Sequence, residues 1–443
     1  MSGNSYAEYQ IDYYRWLLDN NQTQFLDKEK KLKRWLLDSK KLGERFKWGT
    51  NPSLERLHYQ VFHFNKQHDN WDKHVINGLS KPDKFKINSY GSLKPYKFKI
   101  NLKEDKKKLI KSIDKDMQKT GLLSYLLFEN DEIVIDKKSP DNRLGLLFNN
   151  DTKWTTASVG KSFTSYVVGQ AICDGYIENV DVKLNDWPLI KNTLYENVKL
   201  IDLLNMAAGD QKYSNDESDL VNIRPKNPNV NSLKYHMDGH FKGSKPSKNK
   251  FNYSNIVANI LINYVWFKSN GDFQKITDKV FKEKARIEDS IYFLKISGRS
   301  TRGMKDGIRY KYEVNDEDGP LRYSMELNRY DFLRVAKAML DDWKNNTCVG
   351  KYLKTINERK ISKNHKERKP TKSYGGQFHF DYPGLKDKAV FGMGGYGGRA
   401  ILIDMENSRI VVLNSLHYNH EKFKYNHNKL LIDPIKKGEE AFK

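Results

Sequence analysis

The chain has 443 residues, of which 78 are Lys or Arg and 56 are Asp or Glu, giving a formal net charge of +22. That length exceeds a lone binding module and suits two or three domains, or one large enzyme domain with an extension. Aromatic residues make up 12% of the chain, too many for a disordered polymer, and the two cysteines, Cys173 and Cys348, exclude a disulfide scaffold or a thiolate zinc cluster. They leave the redox compartment open. Only 17 of the basic residues are Arg, and these are scattered. Because Arg is the side chain suited to bidentate phosphate and base contacts, the charge does not point to nucleic acid as a partner.

In chain order, residues 1–104 read as a basic, aromatic-rich N-terminal extension. Helical spacing runs from Tyr6 to Leu18 and from Leu26 to Leu37, and a stretch punctuated by Gly, Pro and Ser follows. No run of about 18 apolar residues occurs, and the N-terminus lacks a basic segment followed by an apolar one. The expectation is a protein without a transmembrane segment, cytoplasmic, or periplasmic if a signal has been trimmed from this numbering. From residue 105 the pattern sharpens. Ile110, Ile113 and Met117 share a helical face, and the apolar runs Leu122–Phe128 and Ile133–Ile135 flank Glu129-Asn130-Asp131-Glu132 as a β-hairpin. Further strands are expected over 377–382, 389–393, 400–403 and 409–413. Strands at both ends enclose a mostly helical insert at about 176–345, which predicts an α+β fold with one antiparallel sheet flanked by helices.

Three segments carry candidate chemistry. In Thr155-Thr156-Ala157-Ser158-Val159-Gly160-Lys161-Ser162-Phe163, the residues Val159, Phe163 and Val167 recur every fourth position, so a buried helix starts close to Ser158. Ser158 and Lys161 are almost one turn apart and project from one face. A serine hydroxyl needs a base, and a desolvated lysine can have its pKa lowered enough to serve. A phosphate loop is rejected, because its first glycine would fall on Thr155. Further on, Phe251-Asn252-Tyr253-Ser254-Asn255 precedes an apolar helix, with Tyr253 as a proton shuttle and Asn255 as an amide for a substrate carbonyl, or else as a helix cap. In Phe391-Gly392-Met393-Gly394-Gly395-Tyr396-Gly397-Gly398-Arg399, five glycines let a strand approach a ligand and complete an oxyanion hole with the Ser158 N–H. The pair His236 and His240 has helical metal-ligand spacing, but Gly239 and the polar stretch around it predict a loop with no third ligand, so no metal is expected.

Together these segments resemble the serine β-lactamase and penicillin-binding-protein superfamily, and within it the class C β-lactamase and esterase-like branch, where S-x-x-K, Y-x-N and a K-T-G or H-x-G strand occur in this order. The resemblance covers about residues 106–416, and Leu200-Ile201-Asp202-Leu203-Leu204-Asn205-Met206-Ala207-Ala208-Gly209 fits the helix between the first two motifs. It implies a β-lactamase/transpeptidase-like hydrolase domain at 105–443 that needs no cofactor. Such a domain would cleave a small-molecule ester or amide through an acyl-enzyme on Ser158, with Lys161 and Tyr253 as the proton-transfer pair and Asn255, Met393, Gly394, Gly395 and Tyr396 binding substrate or oxyanion. The alternative is a non-catalytic binding or envelope-associated protein of the same fold that uses its basic surface. Met393 departs from the family, which has Lys or His there to hold a substrate carboxylate; Arg399 or Lys388 would have to replace that charge.

Overall fold

In the computed structural model the described residues are 86–89, 91–103, 105–140, 150, 154–214, 233–288, 291–294, 321–363, 370–415 and 424–438. The helical spacings at 6–18 and 26–37 lie outside them. Nine strands form one sheet: β2 (Lys99–Ile100), β3 (Leu122–Glu129), β4 (Glu132–Lys138), β8 (Ile361–Ser362), β9 (Ser373–Gly375), β10 (Phe378–Phe380), β11 (Val390–Gly395), β12 (Arg399–Asp404) and β13 (Arg409–Ser415). Their order is β2-β4-β3-β13-β12-β11-β10-β9-β8. N- and C-terminal segments therefore meet where β3 pairs with β13. The sheet differs from expectation at one edge, where β2 pairs with β4 in parallel. Two short ribbons complete the strands, β1 (Lys86–Ser89) with β6 (Ile291–Leu294) and β5 (Trp154–Thr155) with β7 (Glu326–Leu327). The β3–β4 hairpin turns on Asn130 and Asp131, with φ of 48° and 63°. Both central residues in the left-handed region are what a two-residue hairpin of matching twist requires, and Asn and Asp tolerate it best.

Alternation along the strands separates two cores. Ile401, Ile403, Ile410 and Val412 face one cluster, and Ala400, Leu402, Val411 and Leu413 face the other. The second, smaller layer is closed by helix α1 (Lys107–Lys119), through Leu109, Ile113 and Met117, and by the C-terminal helix (Asp433–Lys437) with the turn before it. The larger layer holds α2 (Val159–Cys173), α3 (Leu200–Leu204), α4 (Leu233–Asp238), α5 (Asn255–Ser269), α6 (Phe273–Thr277), α7 (Arg329–Lys344) and α8 (Cys348–Glu358). Every residue of α2 from Val159 to Ala171 is buried, as is most of α5. Helices buried all round belong in the middle of a layer, and these two pack against each other. The expected loop at 236–240 is helical over its first part, because Leu233, His236 and Met237 supply a buried face to α4.

The two cysteines, placed in no site by the sequence, form a disulfide that ties the end of α2 to the start of α8 across a sequence separation of 175. A cross-link closing so long a loop removes much chain entropy from the unfolded state and contributes about 2–5 kcal/mol. We expect reductant, or the pair Cys173→Ser and Cys348→Ser, to lower the chemical-denaturation free energy by that amount. Ser158 keeps its surroundings, being a whole helix away. Unchanged unfolding curves with and without reductant would show that the bond contributes nothing.

Candidate active site

The site is built around the first turn of α2. Ser158 stands just before the helix without a capping bond from its side chain, and the N–H groups of Val159, Gly160 and Lys161 turn back onto the carbonyls of Thr156, Ala157 and Ser158 at 3.1 Å each. Ala157, directly before the serine, has φ of 48°. A non-glycine residue in the left-handed region persists only where its neighbours over-determine it, and such strain gathers at functional sites. Here Thr156 is the clamp. Its N–H donates to the Met325 carbonyl at 2.8 Å, and its hydroxyl accepts the Met325 N–H at 3.0 Å.

Lys161 is 0% exposed. A buried ammonium is costly unless it is bonded and paired, and this one is met from four directions. Its Nζ donates to Ser158 Oγ at 2.9 Å and to Asn255 Oδ1 at 2.5 Å. It also lies over two aromatic faces, 4.6 Å from the Tyr253 ring centroid and 4.2 Å from that of Tyr323. Asn255 is the first residue of α5, one place inside the cap position held by Ser254, and its side chain reaches the lysine rather than capping the helix. The expected Ser158, Lys161, Tyr253 and Asn255 thus converge, with the ring face of Tyr253 meeting the ammonium.

Tyr253 is held by the loop that carries it. Asn252 takes the Met206 carbonyl at 2.8 Å through its N–H and reaches Asp210 Oδ1 at 2.7 Å through its side chain, while the Ser254 N–H points at Met206 Sδ at 3.3 Å. Met206, just past α3, has φ of 53°. Asp210 is fully buried, and burial pushes its carboxyl above the usual range although Asn252 and Tyr195 bond it. His379 stacks on Tyr253 at 6.4 Å with an interplanar angle of 20°, and Lys363 Nζ lies 2.9 Å from His379 Nδ1.

The end of β11 closes the site from the sheet. A Cβ on Gly395 would lie 2.7 Å from the Thr156 carbonyl oxygen and 3.4 Å from Ala157 Cβ, so glycine lets the strand end touch the serine turn. A Cβ on Gly394 would meet nothing within 4 Å. Tyr396 is 45% exposed, and its carbonyl accepts from Arg399 at 2.7 Å. Met393, in contrast, is 1% exposed and belongs to the apolar cluster. Arg399 is buried in the turn with its guanidinium 5.9 Å from the Trp154 ring centroid. Lys388 is exposed just before β11, at the end of the strand remote from Gly395, roughly 20 Å away at the usual strand rise. His236 is buried, and burial lowers its pKa to about 4, whereas His240 contacts the Tyr213 carbonyl at 2.7 Å. Among the described residues, no group of three or more His, Cys, Asp or Glu could hold a metal ion.

Two features escaped the sequence reading. Tyr323 donates its hydroxyl to Asn255 Oδ1 at 2.8 Å. It is held there by a stripe of asparagines on α5. Asn259 Oδ1 accepts the Tyr323 N–H at 3.1 Å, and Asn263 accepts the Leu321 N–H at 2.9 Å while donating to the Leu321 carbonyl at 2.8 Å. Asn255, Asn259 and Asn263 recur every fourth residue on an otherwise apolar helix, which is the signal that was there to be read.

No protein-family model and no curated protein sequence matches the chain. Solved structures do. A protein described as a 6-aminohexanoate-dimer hydrolase from Bacillus anthracis superposes with a TM-score of 0.56 at 13% identity, over 85% of this chain and 96% of that one. EstCE1, a hydrolase with promiscuous acyltransferase activity, gives 0.53 at 13% identity over 75% and 99%. SurE with D-leucine gives 0.51 at 16% identity over 76% and 77%. At these identities the likeness concerns the fold.

The asparagine stripe has a measurable cost of removal. Asn263→Leu orphans two buried backbone groups of Leu321, at about 1–3 kcal/mol each. Urea unfolding of that variant is expected to show a loss of about 2–6 kcal/mol; a value within 0.5 kcal/mol of wild type would show that the 321–323 segment does not depend on it.

Proposed function

We propose that this chain, whose fold is that of the serine β-lactamases and penicillin-binding proteins, is a serine hydrolase that cleaves an ester or amide through an acyl-enzyme on Ser158. The observation that carries the reading is the buried Lys161 Nζ at 2.9 Å from Ser158 Oγ, with Asn255 and two tyrosines around it. Once the Lys161 ammonium has released a proton to solvent, the neutral amine takes the Oγ proton as Oγ bonds to the substrate carbonyl carbon. Lys161 and Tyr253 pass that proton to the leaving oxygen or nitrogen as its bond to carbon breaks. The same pair then deprotonates the water that releases the acyl group and regenerates the Ser158 hydroxyl. The developing oxyanion is assigned to the N–H of Ser158 and that of Tyr396, the residue after the strand end that touches the serine turn. Arg399, bonded to the Tyr396 carbonyl, holds this turn.

The substrate is read as an uncharged acyl donor. Met393 gives the strand no cation, Lys388 lies at its far end, and Arg399 is engaged in the turn. Among the described residues, no helix is long and apolar enough to cross a membrane. Of the two expected locations, cytoplasmic or periplasmic, the Cys173–Cys348 bond supports the oxidising, periplasmic one.

The test compares kcat/KM for a short-chain p-nitrophenyl ester and a chromogenic cephalosporin. The ester is expected to be favoured by at least one to two decades, the worth of one missing charged hydrogen bond. Single changes Lys161→Ala and Tyr253→Phe should each cost about 10²–10⁴ in kcat, and the double change little more. A preference for the cephalosporin would contradict the substrate class, and fully multiplicative losses would contradict a shared proton-transfer unit.

A further inference from the structure

The site has two tyrosines against Lys161, and the mechanism uses one. Tyr323 lies nearer the ammonium than Tyr253, 4.2 against 4.6 Å to the ring centroids, and its hydroxyl donates to Asn255 Oδ1 at 2.8 Å. Asn255 Oδ1 therefore accepts from both Lys161 and Tyr323. Two donors on one carbonyl oxygen fix which way the amide faces, since a flip would set its NH₂ against both. The ring face fixes the lysine in the same stroke, because an ammonium over an aromatic face is attracted by the ring quadrupole.

The segment carrying Tyr323 is tied down at both ends of this arrangement. Asn259 and Asn263 hold Leu321 and Tyr323 to α5, the helix that begins with Asn255. Met325 exchanges two hydrogen bonds with Thr156, beside the strained Ala157 and the serine. The Tyr323 carbonyl also sits where a Cβ on Gly160 would come within 2.4 Å, so glycine before Lys161 lets this backbone close onto α2. One short strut thus spans the S-x-x-K and Y-x-N segments and delivers one phenol between them.

We propose that Tyr323 is the positioning residue that aims Lys161 at Ser158, through its ring face on the ammonium and its hydroxyl on Asn255. The inference rests on the serine-hydrolase reading and adds to it a group on neither expected motif. Tyr323 acts on the base and not on the acyl donor, so its loss slows acylation without weakening substrate binding. The hydroxyl and the ring contribute separately. Tyr323→Phe keeps the ring, and Tyr323→Leu removes both.

The experiment is the pre-steady-state burst of p-nitrophenol from a p-nitrophenyl ester, which separates the acylation rate constant from the substrate dissociation constant, run on wild type, Ser158→Ala, Lys161→Ala, both Tyr323 variants and Lys161→Ala with Tyr323→Phe. Tyr323→Phe is expected to slow acylation about 5-fold and Tyr323→Leu about 20- to 100-fold, with the dissociation constant and the thermal midpoint of the Phe variant unchanged. In the Lys161→Ala background, Tyr323→Phe should cost nothing further, because the group it positions is gone. A Phe variant as fast as wild type, a loss expressed in substrate binding, or the same 5-fold loss without Lys161 would overturn the inference while leaving the hydrolase reading intact. Full activity of Ser158→Ala or Lys161→Ala would overturn both. If the Leu variant does not fold, the Phe variant and its double mutant decide alone.

Discussion

Everything around the site answers to one constraint, the burial of the Lys161 ammonium. A charge taken fully out of water is tolerated only where oxygen lone pairs and aromatic faces replace its hydration. Ser158, Asn255, Tyr253 and Tyr323 supply these, and each comes from a segment that must be held to within a few tenths of an ångström. The serine is fixed by the strained Ala157 turn, the asparagine by the start of α5, Tyr253 by the loop anchored on Met206 and Asp210, and Tyr323 by the asparagine stripe. The polar groups that would destabilise an ordinary core are satisfied by one another here, which makes them positioning devices.

The three-layer scaffold explains why such a site sits where it does. α2 and α5 are buried along most of their length and pack against each other in the larger layer, so their first turns come together at Lys161 and Asn255, with α2 also lying against β11. β11 ends there in Gly395, small enough to touch Thr156. The remaining strands and the second core stiffen the sheet from behind, and the Cys173–Cys348 bond pins the opposite end of α2. The helix that carries the serine is thereby fixed at both ends.

Much of this was legible in the sequence because local rules carried it. The Asn130-Asp131 hairpin, the periodicity of α1 and the strand alternation at the C-terminal end are short-range patterns, and the fold follows from them. Ser158 and Lys161 stood out because spacing on a helix fixes direction, and Tyr253 and Asn255 because a Y-x-N step precedes an apolar helix; the structure brings the four side chains together. What escaped depends on contacts between distant segments. The parallel β2 is two residues long, too short for any period. Tyr323 stands in a stretch with no repeating pattern, and only its partners on α5 betray it. The cysteine pairing is a matter of distance in the fold, 175 residues apart in the chain. Met393 reads as a substituted binding residue from its motif, whereas the structure packs it into the apolar cluster. A strand position alone does not say how far from the cleft its side chain ends.

The central claim is that Lys161 makes Ser158 nucleophilic. It is tested most directly by incubating wild type and Lys161→Ala with a fluorophosphonate and following adduct formation by intact mass, then by peptide mapping. The account predicts a single adduct on the peptide containing Ser158, formed in wild type orders of magnitude faster than in the variant. An adduct on another residue, or equal rates in the two proteins, would contradict it.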